Sequence, residues 1–350
     1  MSKRQKTAIR SRRVTAVDVA HLAGVSRSAV SRTLTEGASV SSETRRKVLR
    51  AAEKLGYHRN ALVRGMINQR SGIVGIVTGS LDNPFIAEGL ERLSLRLQQE
   101  GLKTLIYSGD AESDLQVALP SMIEYRVDGC FFLSNDLSPN AAAKYTKLDI
   151  PLVVVFNSNM RGISDHGADI PVGAVSVDNV EVSARVADLL VDNGRQRFAY
   201  MAGLPRATTN RERRRGFEEG LIARGRKLDA LQVGNFNYED GCIAARKLLS
   251  QDERPDAIYC ANDAMALAAI DVARSEFDLD VPNDLAIVGF DDINIASYPA
   301  YDLTSVRQPV EEMINVAADL MLRLIRDPAQ RPMEIRLKSE LVQRASTRRA

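Results

Sequence analysis

Along residues 15–34, TAVDVAHLAGVSRSAVSRTL, apolar positions recur with helical spacing, break at a glycine and resume. Ala16, Val19, Ala20 and Ala23 fall at i, i+3, i+4 and i+7, one face of a short helix. Gly24 supplies the permissive backbone of a tight turn, Val25 is placed to fill the angle between helices, and Ser26 can cap a second helix. There Val30 and Leu34 point inward, which leaves Arg27, Ser28, Ser31 and Arg32 on the outer face. The pattern predicts a helix–turn–helix whose second helix presents donors to base edges and phosphates in a major groove. A small surface hairpin is the plain alternative, and the basic N-terminal setting argues against it. A third helix follows, capped by Ser41 or Ser42, with Val48, Ala52 and Leu55 inward and Gly56 at its end. The segment from Asn60 can make about two helical turns, too few to be stable alone, and Gly65 weakens them further. It should fold only against a partner, with Asn68 to Gly72 as the linker beyond it.

From Ile73 onward the period changes. Apolar runs of strand length at Ile73–Thr78, Lys103–Tyr107, Gly129–Leu133 and Leu152–Phe156 alternate with helical patterns near 85–100, 114–125 and 140–148. The alternation restarts near Ala174, with strands expected at Ala174–Val177, Phe198–Ala202, Ala257–Cys260 and Leu285–Phe290. Helices are expected between them, near 180–193, 210–224, 238–250 and 262–277. Two βα runs in succession predict two doubly wound parallel sheets, whose ligands bind at the carboxyl ends of strands and between the lobes.

Charge sharpens this division. Residues 1–70 hold 16 Lys and Arg against 4 Asp and Glu, whereas the other 280 residues hold 31 against 41. Polyanion affinity is therefore confined to the first fifth of the chain. The basic run from Lys3 to Arg13 precedes any periodic pattern and reads as a flexible tail, either phosphate-binding or simply solvated. No apolar run follows it as in a secretory signal, and none elsewhere reaches membrane-spanning length. Cys130, Cys242 and Cys260 match no metal or redox spacing and read as reduced thiols of a cytoplasmic protein. The three histidines, His21, His58 and His166, are scattered, so neither a metal cluster nor His-based catalysis is evident. Gly72-Ile-Val-Gly-Ile-Val-Thr-Gly has the wrong spacing for a dinucleotide loop, and there is no P-loop. An enzyme is thus disfavoured and no cofactor is implied.

The chain resembles the LacI/GalR (lactose-repressor) family of transcriptional regulators over residues 14 to about 347. The resemblance rests on VTAVDVAHLAGVSRSAVSR, VSSETRRKVLRAAEKLGY and the hinge-like RNALVRGM, then on DNPF (82–85), VDG (127–129), VDN (177–179), RRRGF (213–217), CANDAMALAAI (260–270), VGFDDI (288–293) and LTSVRQP (303–309). It implies an N-terminal all-α helix-turn-helix head with a hinge helix, then an α/β core like that of periplasmic sugar-binding proteins. The expected domains are a basic tail at 1–13, a DNA-binding head at 14–59, a hinge and linker at 60–71, and an effector-binding and dimerisation core at 72–347. Within the core, one lobe is expected from 72–172 plus 304–332 and the other from 173–303 plus 333–347. The implied function is repression of carbohydrate or sugar-acid metabolism genes, with a small-molecule effector releasing a near-palindromic operator. The implied partners are operator DNA, the effector and a second copy of the chain. A homodimer through the core is expected, since no leucine-rich heptad tail follows Arg344. The expected location is the cytoplasm, at the nucleoid when DNA-bound.

Carried over by residue, the resemblance makes Arg27 and Ser28 base-reading positions, with Arg32 contacting DNA beside them. Arg27 suits a guanine, whose O6 and N7 a guanidinium can pair bidentately. Thr15, Ser26, Ser31 and Asn60 are candidate phosphate contacts that set register. Met66 stands where the family usually has a leucine that wedges into the minor groove. In the core, Arg213 and Asp263 match residues that hold effector hydroxyls, and Asn83 and Phe85 are expected to line the same cleft. Asn157 and Asp291 are further candidates at strand ends, and Asp178 with Asn179 reads as a structural turn. Asp263 has an alternative role as a helix N-terminal residue favourable to the macrodipole. Of the arginines crowding 206–215, most are expected on the surface; one or two reaching the cleft would suit an acidic ligand.

Overall fold

The computed structural model describes residues 14–34, 38–57, 70–108, 111–133, 144–145, 147–157 and 172–348, with residues 111–117 described by their helix alone. The chain divides into two compact units at Ser71/Gly72.

In the first unit, α1 spans Ala16–Ala23, α2 Arg27–Thr33 and α3 Ser42–Leu55. Each start is fixed by a hydroxyl. Thr15 and Asp18 form a reciprocal capping box on α1, Ser26 Oγ accepts the Ala29 N–H of α2, and Ser41 Oγ accepts the Thr44 N–H of α3. Gly24 ends α1 at φ 64°, a left-handed conformation that a Cβ would strain. Val19, Ala20, Val30, Val48, Ala51 and Ala52 make a buried core of their own, with Val25 and Leu34 packed against it. Arg45 donates to the carbonyls of Thr33 and Ala38 and so ties α3 to the end of α2.

The second unit holds two six-stranded sheets. The first runs, in spatial order, β11 (Glu334–Leu337), β5 (Gly173–Val177), β4 (Leu152–Val155), β3 (Gly129–Leu133), β1 (Ile73–Thr78) and β2 (Lys103–Ser108), all parallel. The second runs β12 (Glu340–Val342), β10 (Thr304–Arg307), β9 (Ala286–Asp291), β8 (Ala257–Cys260), β6 (Phe198–Ala202) and β7 (Leu228–Val233), parallel except for β12. Helices α4 (Pro84–Gln99), α5 (Ala111–Glu124) and α10 (Val310–Arg326) pack with the first sheet. Helices α6 (Asn179–Asp192), α7 (Thr208–Ala223), α8 (Tyr238–Leu249) and α9 (Asp263–Glu276) pack with the second. The helix expected near 140–148 falls largely outside the described residues.

The lobes are divided differently from the expectation. Gly173–Val177 does not open the second sheet; it pairs with β4, Val154 beside Ala174, and belongs to the first. Thr304–Arg307 pairs with β9 in the second sheet, and Glu334–Leu337 returns to the first beside β5. An apolar run shows that a strand is buried on both faces but carries no information about its neighbour. The chain therefore crosses between lobes after β5, after β10 and between β11 and β12. The carboxyl ends of β5 and β10 both lie at these crossings, which brings their next residues to the boundary between lobes.

Candidate functional site

In the head, Arg27, Ser28, Ser31 and Arg32 are all exposed on α2, on the side away from Val30. Ser26 and Ser28 hydroxyls lie 2.8 Å apart, which links the capping residue to a position expected to read bases. Thr15 has a structural role besides the expected one. Its hydroxyl donates to Asp18 Oδ2 at 2.7 Å and accepts the Asp18 N–H, so capping α1 already occupies it. Asn60 and Met66 lie outside the described residues.

In the core, the first-sheet candidates mostly build structure. Asn83 caps α4, its Oδ1 accepting the Phe85 N–H at 3.0 Å. Phe85 is buried against Phe156, ring centroids 4.6 Å apart, as part of the hydrophobic core. Asn157, just past β4, is also buried.

The second-sheet candidates converge. Arg213, on α7, is 3% exposed and lies over the Phe290 ring at 3.5 Å. Its Nε donates to Asn179 Oδ1 at 3.0 Å and its Nη1 to the Ala261 carbonyl at 2.5 Å. Asn179 in turn donates to Glu212 Oε2 at 2.9 Å, and Glu212 stands 3.9 Å from Arg336 of β11, across the lobe boundary. Asp291 ends β9 at φ 112°, with its Oδ1 accepting from Gln308 at 2.8 Å. Burial pushes the Asp291 carboxyl up to about 6, against the opposing pull of the Arg213 charge and the Gln308 hydrogen bond.

Asp263 does not face an open cleft. It is fully buried, its Oδ1 accepts from Ser305 Oγ at 2.6 Å, and its Oδ2 accepts the Ile293 N–H at 2.8 Å. Burial first, and the Asp291 charge second, push its carboxyl well above the usual range. Buried and hydrogen-bonded through both oxygens, it positions the turn after β9. The neighbouring Asn262 caps α9 through its Oδ1 while its Nδ2 donates to the Phe236 carbonyl at 3.0 Å. Phe236 is half-exposed at the carboxyl edge beyond β7, and its ring lies so close to Gly203 that a Cβ there would meet it at 2.1 Å. The sequence offers Asn179 only as part of a structural turn and does not single out Glu212, Phe236, Asn262 or Gln308. Asn179, Asn262 and Gln308 fall within the motifs VDN, CANDAMALAAI and RQP, whereas nothing local marks Phe236.

The remaining arginines of this region face outward. Arg211 donates to Thr208, while Arg214 and Arg215 pair with Glu218 and Glu219 one turn on. Among the described residues no group of His, Cys, Asp or Glu could hold a metal ion. Cys130 and Cys260 are buried, with thiols pushed up by desolvation, the opposite of an activated nucleophile. The site offers a fixed guanidinium, a carboxylate, amides and an aromatic face, which suits binding of a compact polar molecule.

Asp291 sets a pH signature. Because its folded value, about 6, exceeds its ordinary 3.8, the folded state favours the protonated form. That contribution is fully present below about pH 4 and is lost as pH rises through 6, a difference of up to ~3 kcal/mol. Asp291→Asn should therefore stabilise the chain by about 1–3 kcal/mol at pH 7.5 and by almost nothing at pH 4. Urea unfolding of both proteins across this range checks it, and a constant difference at all pH values contradicts it.

Comparison with known proteins matches residues 15–60 to the bacterial regulatory proteins of the lacI family and residues 187–347 to the periplasmic binding protein-like domain. Catabolite control protein A of Priestia megaterium is 30% identical over 342 residues, covering 96% of this chain and 99% of that one. The chain belongs to the lacI family. This LacI-family regulator is also similar to solved structures along its length. The transcriptional regulator CelR in complex with cellobiose is 29% identical, with 95% of this chain and all of that one covered and a TM-score of 0.70. The lac repressor dimer bound to operator and the anti-inducer ONPF is 25% identical, with 96% and 99% covered and a TM-score of 0.84. The head and the two parallel-sheet lobes are thus the family's architecture, and the protein is a DNA-binding transcriptional regulator. No helix among the described residues is long and apolar enough to cross a membrane.

Proposed function

We propose that this regulator represses transcription as a homodimer on a near-palindromic operator and is released by a sugar or related polyhydroxylated metabolite bound in the core. The observation that carries the reading is a self-contained, capped head whose α2 leaves Arg27, Ser28, Ser31 and Arg32 exposed together. That arrangement supports base readout by Arg27 and Ser28, and phosphate or base contact by Ser31 and Arg32. Two heads carried on one core dimer read half-sites about one helical turn apart. The lac repressor, a structural relative, is a dimer in its operator complex, which supports the same assembly here.

The effector is held by Arg213 and Asp291, with Gln308 orienting the carboxylate and Phe236 offering a ring face. A guanidinium and a carboxylate side by side suit the paired donor and acceptor of neighbouring hydroxyls. The CelR complex with cellobiose supports a sugar as the chemical class. An acidic effector is disfavoured, because Arg211, Arg214 and Arg215 are engaged on the outer face of α7. No catalytic step is assigned to the chain.

Operator sequences selected from a random pool provide the test. Arg27→Ala should weaken binding to the selected sequence by about 1–3 kcal/mol and relax preference at one base of each half-site, leaving random DNA nearly unaffected. Equal losses on selected and random DNA would remove α2 as the reading helix.

A further inference from the structure

Asp291 and Asp292 are consecutive non-glycine residues with positive φ, 112° and 57°. Side chains rarely adopt such backbone, and it persists only where surrounding groups over-determine it. Here they do. The Asp292 N–H donates to Ser305 Oγ at 3.1 Å, and the next amide, Ile293 N–H, donates to Asp263 Oδ2 at 2.8 Å. The Asp292 carboxylate, only 4% exposed, lies between two arginines. Arg307 Nε reaches its Oδ2 at 2.7 Å, and Arg344 Nη1 reaches its Oδ1 at 2.7 Å.

The two arginines are not equivalent. Arg307 is 49% exposed and also faces Glu340, whereas Arg344 is 13% exposed and its Nη1 additionally donates to the Leu303 carbonyl at 2.6 Å. Arg344 is itself fixed by the backbone around it. Its N–H donates to Thr304 Oγ1 at 2.8 Å, and Thr304 Oγ1 donates to its carbonyl at 3.1 Å. Ser346 Oγ then donates to the Ile287 carbonyl at 2.6 Å, and Asn193 Nδ2 donates to the Thr347 carbonyl at 3.1 Å. The last described residues are thus stitched to β9, β10 and the end of α6.

We propose that Arg344 is a positioning residue for effector binding: through Asp292 it holds the turn that aims Asp291 beside Arg213 and Gln308. Asp291 is the effector contact, a point that rests on the reading under Proposed function. Arg344 itself touches no ligand. Its loss leaves a buried carboxylate with one half-exposed partner, and the turn is then free to relax towards negative φ and carry Asp291 away from Gln308.

Hydrogen exchange of the full-length protein, without DNA or ligand, tests the clamp directly. Arg344→Met should speed exchange at Asp292 and Ile293 about tenfold or more, with amides in the middle of α9 unchanged. Arg344→Lys, which keeps a cation in reach of Asp292, should recover most of the protection. Asp292→Gly accepts the positive φ without a clamp, so adding Arg344→Met to it should give little further change. Unchanged exchange in Arg344→Met, or additive effects in the double variant, overturns the proposal.

A second arm separates the clamp from the cleft reading. Cellobiose, ribose and other neutral sugars are titrated against the wild type and Arg344→Met by calorimetry. A loss of affinity of about tenfold or more in the variant, measured at a temperature where its thermal melt shows it fully folded, is the expected result. A loosened turn with undiminished sugar affinity leaves the clamp as plain scaffold and overturns the positioning role. Undiminished affinity in Asp291→Ala as well would show that the cleft reading itself has failed.

Discussion

Raising monovalent salt from 50 to 200 mM should weaken operator binding about a thousandfold or more. Each phosphate neutralised by Lys or Arg releases a condensed counterion, and roughly six to ten such contacts give about 10³–10⁵ over that range. The charge distribution makes the effect steep here. Residues 1–70 carry an excess of 12 positive charges, while the remainder carries an excess of 10 negative charges. The core therefore contributes no compensating nonspecific attraction and repels the duplex wherever it approaches. Deleting residues 1–12 should lower the salt slope and weaken selected and random DNA alike, since phosphate contacts carry no sequence information. Arg27→Ala, by contrast, should change the selected sequence far more than the slope. Fluorescence anisotropy titrations at four salt concentrations measure both quantities. A slope near zero for the full chain would falsify the assignment of the head as the polyanion-binding unit.

The head was legible almost residue by residue, because its determinants are local. Thr15, Ser26 and Gly24 act within four positions of themselves, and the apolar period of α1 and α3 names their buried faces. Thr15 is the exception, since the same hydroxyl suits a cap and a phosphate contact, and the fold shows only the cap. The two-sheet class was equally plain from the alternation of buried strands and amphipathic helices. Lobe membership was not, because Gly173–Val177 and Thr304–Arg307 look alike as buried strands while pairing into different sheets. β7, Leu228–Val233, is an edge strand with exposed and half-buried residues, so its weak pattern went unread, as did the short β11 and β12. The site was half legible. Arg213 and Asp291 stand in recognisable motifs, but the sequence shows neither that Asp263 is spent on Ser305 and the Ile293 amide nor that Phe236 and Gln308 meet the same region. Their roles come from partners 17 to 33 residues away, Asp291 for Gln308 and Gly203 for Phe236, and no local period encodes such meetings.

Arg213→Met should abolish release by the effector while leaving operator binding intact in its absence. The guanidinium is 3% exposed, seated on Phe290, with Nε on Asn179 and Nη1 on the Ala261 carbonyl. Methionine keeps an unbranched apolar stem but is shorter and offers no donor, so two buried acceptors lose their partner and Asp291 loses its cation. The expected loss of stability is about 3–5 kcal/mol, the usual cost of removing one member of a buried charged network. Part of this is recoverable. Without Arg213 the Asp291 carboxyl rises further, because the charge that opposed burial is gone, and it stays protonated nearer neutral pH. Adding Asp291→Asn should then restore stability at pH 7.5 but not effector response, which separates the electrostatic cost from the loss of the ligand contact. Arg213→Lys should rescue neither fully, since one ammonium cannot lie flat on Phe290 and reach both acceptors. Effector affinity should fall at least about a hundredfold, roughly 2.7 kcal/mol, in both single variants. The head has its own core, so its affinity for DNA is expected to be unchanged. Release of Arg213→Met from its operator at the wild-type sugar concentration would show that the effector is held elsewhere.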